Sequence, residues 1–236
     1  MRAEAKKLAE QKTMKMNREF EGSTLLDRIA CAYMSAKSFV IEAGYYSEID
    51  WQESTQFDSI KESYFLREAA WVILSSGMRE SIVRQKFPMI SKSFFNWNSA
   101  KKIVDNKKKC LEGALQYFGH RRKIESIIQV SAHVHLNGFD NVCRSIEKDG
   151  IEYIMQFSYM GPVTSYHFAK NLGMPVSKPD RHLCRIAKAV GYNSPQLMCS
   201  DIAELTGEKV SVVDLIFWRF ATLQKNYLSF FYNSIK

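Results

Sequence analysis

Residues Phe157 to Gly191 read FSYMGPVTSYHFAKNLGMPVSKPDRHLCRIAKAVG. A turn at Tyr159, Met160 and Gly161 separates two helical patterns, one running up to it from GIEYIMQF and one following it as TSYHFAKNLG. Pro162 suits the first turn of the second helix, where a missing N–H costs nothing. Gly161 lets another backbone approach closely, and the amides of Val163 and Thr164 then project from a helix N-terminus, an arrangement suited to a phosphate. An ordinary helix connection has the same composition. After the link GMPVSKPD comes a third helix, DRHLCRIAKAVG, in which Leu183, Ile186, Ala187 and Val190 share one face and Gly191 marks the end.

Helical periodicity runs through the rest of the chain. Ile124, Ile127, Ile128 and Ser131 fall on one face of RRKIESIIQVSAHVH, as do Val212, Val213, Ile216, Phe217 and Phe220 of SVVDLIFWRF. SYFLREAAWVILSSG reads as a mostly buried helix closed by Gly77. Ser211 with Asp214 is spaced as a capping box, and Asp201 with Glu204 as a second cap in a short helix ending at Gly207. Convincing alternating strands are absent, so the expected fold class is all-α.

Composition is that of a globular chain, 46% hydrophobic and 25% charged, with no apolar run long enough to cross a membrane. The first residues, MRAEAKKLAEQKTMKMNREFEG, lack the apolar core of a signal peptide, and a cytoplasmic location is the expectation. The five cysteines are scattered without a C-x-x-C pair, and His133 and His135 point to different helix faces, so neither metal nor cofactor is expected and the thiols are read as reduced and half-buried. A formal net charge of +8 suits a polyanionic partner. KKIVDNKKKC (Lys101 to Cys110) and GHRRKI (Gly119 to Ile124) concentrate it, either as solvated helix ends or as a phosphate-facing surface.

The hairpin, the link and the aspartate together resemble the helix-hairpin-helix DNA glycosylase superfamily. In that family a turn of the form L-P-G-[VI]-G-x-K-T-A is followed, about twenty residues on, by an aspartate in a D-x-H-x-x-R-like sequence at a helix start. Here FSYMGPVTS occupies the hairpin, and Asp180, His182 and Arg185 occupy DRHLCR. LREAAWVILSSGM and FGHRRKIESIIQVSA are similar to earlier helices of the family, so the resemblance covers roughly residues 63 to 191. Tyr159 stands at the family's first hairpin glycine, Ser158 at its proline, and Val163 where bifunctional members carry a reactive lysine. The four-cysteine iron–sulfur motif of some relatives is missing.

The resemblance implies two helical subdomains flanking a DNA-binding cleft. Residues 63–174 would form one, ending in the helix-hairpin-helix; 23–62 with 175–236 would form the other and carry the aspartate; and 1–22 would be a basic arm or helix. It implies a monofunctional glycosylase acting in DNA repair or against modified phage DNA, since valine cannot form a Schiff base with the sugar. Asp180 would stabilise the oxocarbenium-like sugar and orient or deprotonate the attacking water. Asp180 also has the sequence surroundings of a plain helix N-cap, and the two roles are compatible. Met160, Gly161, Val163, Thr164, Lys178, His182, Arg121, Arg122 and Lys123 are the expected DNA contacts, with helix packing the alternative for His182. Tyr45, Tyr46 and Trp51, in AGYYSEIDWQES, which reads as a break between helices, are the expected base pocket together with Ser76 and Met78. Core packing is the alternative for each aromatic. The expected partner is DNA, met by a monomer without a membrane. A bifunctional enzyme using Lys178, and a helix-hairpin-helix protein that binds DNA without chemistry, are the competing readings.

Overall fold

The computed structural model describes residues 24–236, which form α-helices joined by turns, with no strand among them. Helix α1 (Leu25–Val40) begins at Thr24, whose hydroxyl and the Asp27 carboxylate cap each other's backbone amides. It runs through a π-helical turn, Ile41–Tyr45, bends at Gly44 (φ 97°) and continues as α2 (Tyr46–Ser54). AGYYSEIDWQES is therefore helical with one kink rather than a break, because Gly44 supplies a left-handed backbone inside an otherwise continuous helix. There follow α3 (Glu62–Ser75), α4 (Glu80–Ser93), a tight turn at Phe95–Trp97, α5 (Ala100–Asp105) and α6 (Lys107–Leu115). Next come α7 (Arg121–Asn137), α8 (Phe139–Ile154) and α9 (Thr164–Asn171). The chain closes with α10 (Arg181–Ala189), α11 (Pro195–Thr206), α12 (Val210–Leu223) and α13 (Tyr227–Ser234).

These helices make two compact units, one of Gln56–Leu172 and one of the chain up to Thr55 together with Gly173–Lys236. The limits differ from those expected at residues 62/63 and 174/175. The Glu62 carboxylate accepts the Ala100 amide at 2.6 Å and so ties the start of α3 into the Gln56–Leu172 unit. The basic arm read at 1–22 lies outside the described residues.

In the discontinuous unit α12 is the central element, buried almost all round from Ser211 to Ala221, with α1, α2, α10 and α11 packed against it. Tyr33, Phe217 and Phe231 are fully buried there and meet edge to face. Each such ring contributes about 1.5–3 kcal/mol by leaving water. In the Gln56–Leu172 unit α3 and α7 are central, and Phe65 of α3 sits among Phe139, Phe157 and Phe168.

Two expected caps are absent. Lys209 occupies the N-cap of α12, which puts Ser211 and Asp214 inside the helix and buried. Ser194 caps α11 instead of Asp201, which accepts the Tyr192 hydroxyl at 2.7 Å from the middle of that helix. A Ser/Asp pair three residues apart is common inside helices as well as at their starts. Of the cysteines, all free, Cys110 and Cys199 are buried and Cys184 is exposed.

Candidate nucleic-acid interface and catalytic aspartate

The hairpin belongs to the Gln56–Leu172 unit. Its first helix, α8, is split by Gly150, whose φ of 59° and ψ of −132° suit only glycine, and it ends at Ile154, earlier than the sequence suggests. The connection spans 155–163, and Pro162 precedes α9 rather than lying in its first turn, with Val163 at the N-cap. Phe157 and Met160 anchor the loop in the core, and the Met160 amide donates to the Phe157 carbonyl at 3.0 Å.

Between these anchors Tyr159 has a φ of 67°, a left-handed conformation that costs a residue with a Cβ roughly 1–2 kcal/mol. Beyond it the Gly161 amide donates to the Thr164 hydroxyl at 2.9 Å, and the Gly161 carbonyl accepts both the amide and the hydroxyl of Ser165 at 2.9 Å. The Val163 and Thr164 amides have no hydrogen-bond partner among the described residues, so they are the donors an anion could use; the Gly161 amide is already engaged.

Two neighbouring segments converge on this loop. Ser126 of α7 donates its hydroxyl to the Ser158 carbonyl at 2.9 Å. Lys123, one turn earlier, donates to the Leu74 carbonyl at 2.8 Å and to that of Ser76, closing the C-terminal end of α3, while its ammonium lies 5.7 Å from the Tyr159 ring centre. Burial pushes the Lys123 ammonium down to about 8. His120 meets Tyr159 edge to face at 6.0 Å. The end of α3, the start of α7 and the hairpin thus form one local surface, with Arg121, Arg122 and Met78 exposed.

Two expected DNA contacts are corrected by burial. Met160 is 2% exposed and serves as a core anchor, and Lys123, at 3%, spends its protons on carbonyl groups inside the protein. Arg121 and Arg122 remain on the surface, Arg121 within 3.4 Å of Glu125.

Asp180 belongs to the other unit. It is the N-cap of α10, its Oδ1 accepting the amides of His182 at 2.9 Å and Leu183 at 3.1 Å. Its Oδ2 lies 3.6 Å from the Lys178 ammonium. The preceding segment is pinned by the buried Asp214 of α12, which accepts the Lys178 amide at 2.7 Å and the Ser177 hydroxyl at 3.1 Å. The Ser211/Asp214 spacing suggests a cap, whereas the lone carboxylate within the apolar run VVDLIF is the signal of a positioning role. The His182 imidazole meets the Tyr227 hydroxyl at 3.1 Å, and burial lowers its pKa against the opposing pull of Asp180. His182 is therefore a packed residue with its amide and its ring both engaged.

The expected base pocket does not assemble within one unit. Tyr45, Tyr46 and Trp51 fall in one, Ser76 and Met78 in the other. Tyr45 and Tyr46 pack on the core around α12, and Tyr45 carries the Arg219 guanidinium 4.3 Å from its ring centre. Arg219 in turn binds Glu48 at 2.6 Å, so the acid and aromatic residues of this stretch hold α2 to α12. Trp51 is half-buried, and its carbonyl accepts the Thr55 hydroxyl at 2.7 Å. No group of three or more His, Cys, Asp or Glu side chains among the described residues is arranged to hold a metal ion, and no helix among them is long and apolar enough to cross a membrane. No protein-family model, curated protein or solved structure matches the chain.

Proposed function

We propose that the chain is a helix-hairpin-helix DNA glycosylase of the monofunctional kind, hydrolysing the bond between deoxyribose and a damaged or modified base. The observation that carries this reading is the backbone of Tyr159. At the position where the family has a glycine, the chain keeps a left-handed φ of 67° despite a bulky side chain, and two unpaired amides follow at the start of α9. A connection with no task would have little reason to hold that strain. The arrangement supports a phosphate held at the helix start, which fixes the duplex without reading its sequence.

Chemistry would then rest with Asp180. As the glycosidic bond breaks, its electrons leave with the base and positive charge grows on the sugar ring. The Asp180 carboxylate stabilises that charge, and Oδ2 takes a proton from the water whose oxygen bonds to the anomeric carbon. Val163 offers no amine at the hairpin, and the Lys178 ammonium is engaged as an ion pair with the Asp180 carboxylate at 3.6 Å. The product is a free base and an unbroken strand with an abasic site.

Asp180→Asn tests this cleanly, because asparagine caps a helix as well as aspartate does and α10 should keep its start. End-labelled duplexes, each with one candidate base, are incubated with the wild type and with this variant and run before and after hot alkali. Breaks that need alkali and vanish in the variant are expected. Breaks without alkali point to Lys178 or another amine as a nucleophile. The competing reading, a DNA-binding module, draws on the capping bonds of Asp180, which account for that residue without catalysis. It gives no breaks on any substrate and salt-sensitive binding that Asp180→Asn leaves intact.

A further inference from the structure

The turn between α4 and α5 is the most strained backbone among the described residues. Phe95, Asn96 and Trp97 have φ values of 53°, 52° and 65° in succession, and only asparagine is a residue type that tolerates this region well. The neighbours over-determine the strain. Phe94 and Trp97 are buried with their rings stacked at 4.9 Å, and the Trp97 indole N–H donates to the Ser91 hydroxyl at 3.0 Å. With Phe94 and Trp97 turned inward, Phe95 is left half-exposed at the surface.

What surrounds Phe95 is cationic. Between Lys92 and Lys109 six lysines face a single acid, Asp105, and Asp105 is bound to Lys101 at 2.6 Å. The Lys102 and Lys109 ammonium groups, from α5 and α6, lie 4.7 and 5.9 Å from the Phe95 ring centre. An aromatic face flanked by two lysines is the combination that single-stranded nucleic acids use, with bases on the ring and phosphates on the cations.

We propose that Phe95 with the α5–α6 lysines is a binding site for single-stranded nucleic acid, Phe95 stacking an unpaired base while Lys102 and Lys109 hold flanking phosphates. An arriving strand exchanges the cation–π contacts for a base stack and releases the lysines to the backbone. Paired bases are stacked on one another and cannot use the ring, so the site prefers unpaired strands. It does not rest on the glycosylase reading.

The test is fluorescence anisotropy of the full chain with labelled oligothymidylate, oligouridylate and a duplex of equal length, over a salt series. Phe95→Asn removes the ring and suits the left-handed turn, so it should fold, as circular dichroism will check. It should weaken binding of both single strands about thirtyfold, a middle value for loss of one base stack, without changing the duplex. Phe95→Trp should bind as the wild type does. Joint replacement of Lys102 and Lys109 by glutamine should reduce the slope of log affinity against log salt by about 1.4. Equal single-strand affinity of the wild type and a folded Phe95→Asn overturns the proposal. So does displacement by polyglutamate with equal potency from both proteins, which marks a face for acidic peptides, and so does equal loss of duplex binding.

Discussion

Lys123 is a lysine with its head turned inward, 3% exposed and donating to the carbonyls of Leu74 and Ser76. Those carbonyls are the unsatisfied end of α3, and the ammonium answers both their hydrogen bonding and the negative end of the helix dipole. Lys123→Met, which keeps the length of the side chain, should destabilise the protein by about 1–3 kcal/mol at neutral pH, because two buried acceptors lose their donor. The pH dependence should change too. With the folded pKa held near 8 by burial and an unfolded value near 10.4, the unfolded chain binds more protons between these limits. Stability from this group is therefore lowest below pH 8 and rises through that window. Urea unfolding of both proteins at steps from pH 7 to 10.5 reads the difference, in which other titrating groups cancel. Parallel curves would mean that Lys123 is solvated in the folded state. The sequence placed Lys123 with Arg121 and Arg122 as a phosphate contact because the three are adjacent. Helical phase distinguishes them: Lys123, Ile127, Val130 and Val134 recur at four-, three- and four-residue steps and are all buried, whereas the two arginines lie off that face.

At the level of elements, helix starts and the hairpin divide what was readable from what was not. Gly77, Gly191 and Gly207 end their helices as the sequence suggests, since glycine in a left-handed position is a local signal. Starts were less readable. The Ser211/Asp214 and Asp201/Glu204 spacings recur inside helices, and which pair caps depends on where the chain enters, a tertiary matter settled at α12 by Asp214 accepting the Ser177 hydroxyl and the Lys178 amide. The hairpin's conformation was hidden because tyrosine does not announce a positive φ. That conformation makes a prediction about side-chain type. Tyr159→Gly removes backbone strain of about 1 kcal/mol but forfeits the packing of the ring on His120 and Lys123, so its stability should stay within about 1 kcal/mol of the wild type. Tyr159→Val forfeits the same packing and adds the strain of a β-branched residue in the left-handed region, so it should be about 2 kcal/mol less stable than the glycine variant. Equal denaturation midpoints for the two variants would show that the turn does not hold the left-handed backbone.

For the whole molecule, the all-helical class was readable because 3.6-residue periodicity recurs from α3 to α12 and no alternating stretch competes with it. The crossing at Thr55–Gln56 was not, since no glycine or proline marks it; the QFDSIKES segment is polar and continues into α3 without a break in composition. Charge follows the units. Gln56–Leu172 holds 17 Lys and Arg against 11 Asp and Glu, whereas residues 24–55 and 173–236 together hold ten of each. The basic unit is one uninterrupted chain segment with its own apolar core around Phe65, Ile73, Ile103 and Ile124, and its size is that of an ordinary single domain. A fragment of residues 56–172 should therefore fold alone, giving a helical circular-dichroism spectrum and a cooperative melt. Because it carries the hairpin, the exposed arginines of α7 and the α5–α6 lysines, it should also retain most of the salt-dependent nucleic-acid affinity, with a log–log salt slope close to that of the full chain. It lacks Asp180, so under the glycosylase reading it should bind DNA and release no base. A folded fragment with little affinity would move the binding surface onto the rest of the chain and remove the hairpin and the lysine cluster together as nucleic-acid contacts.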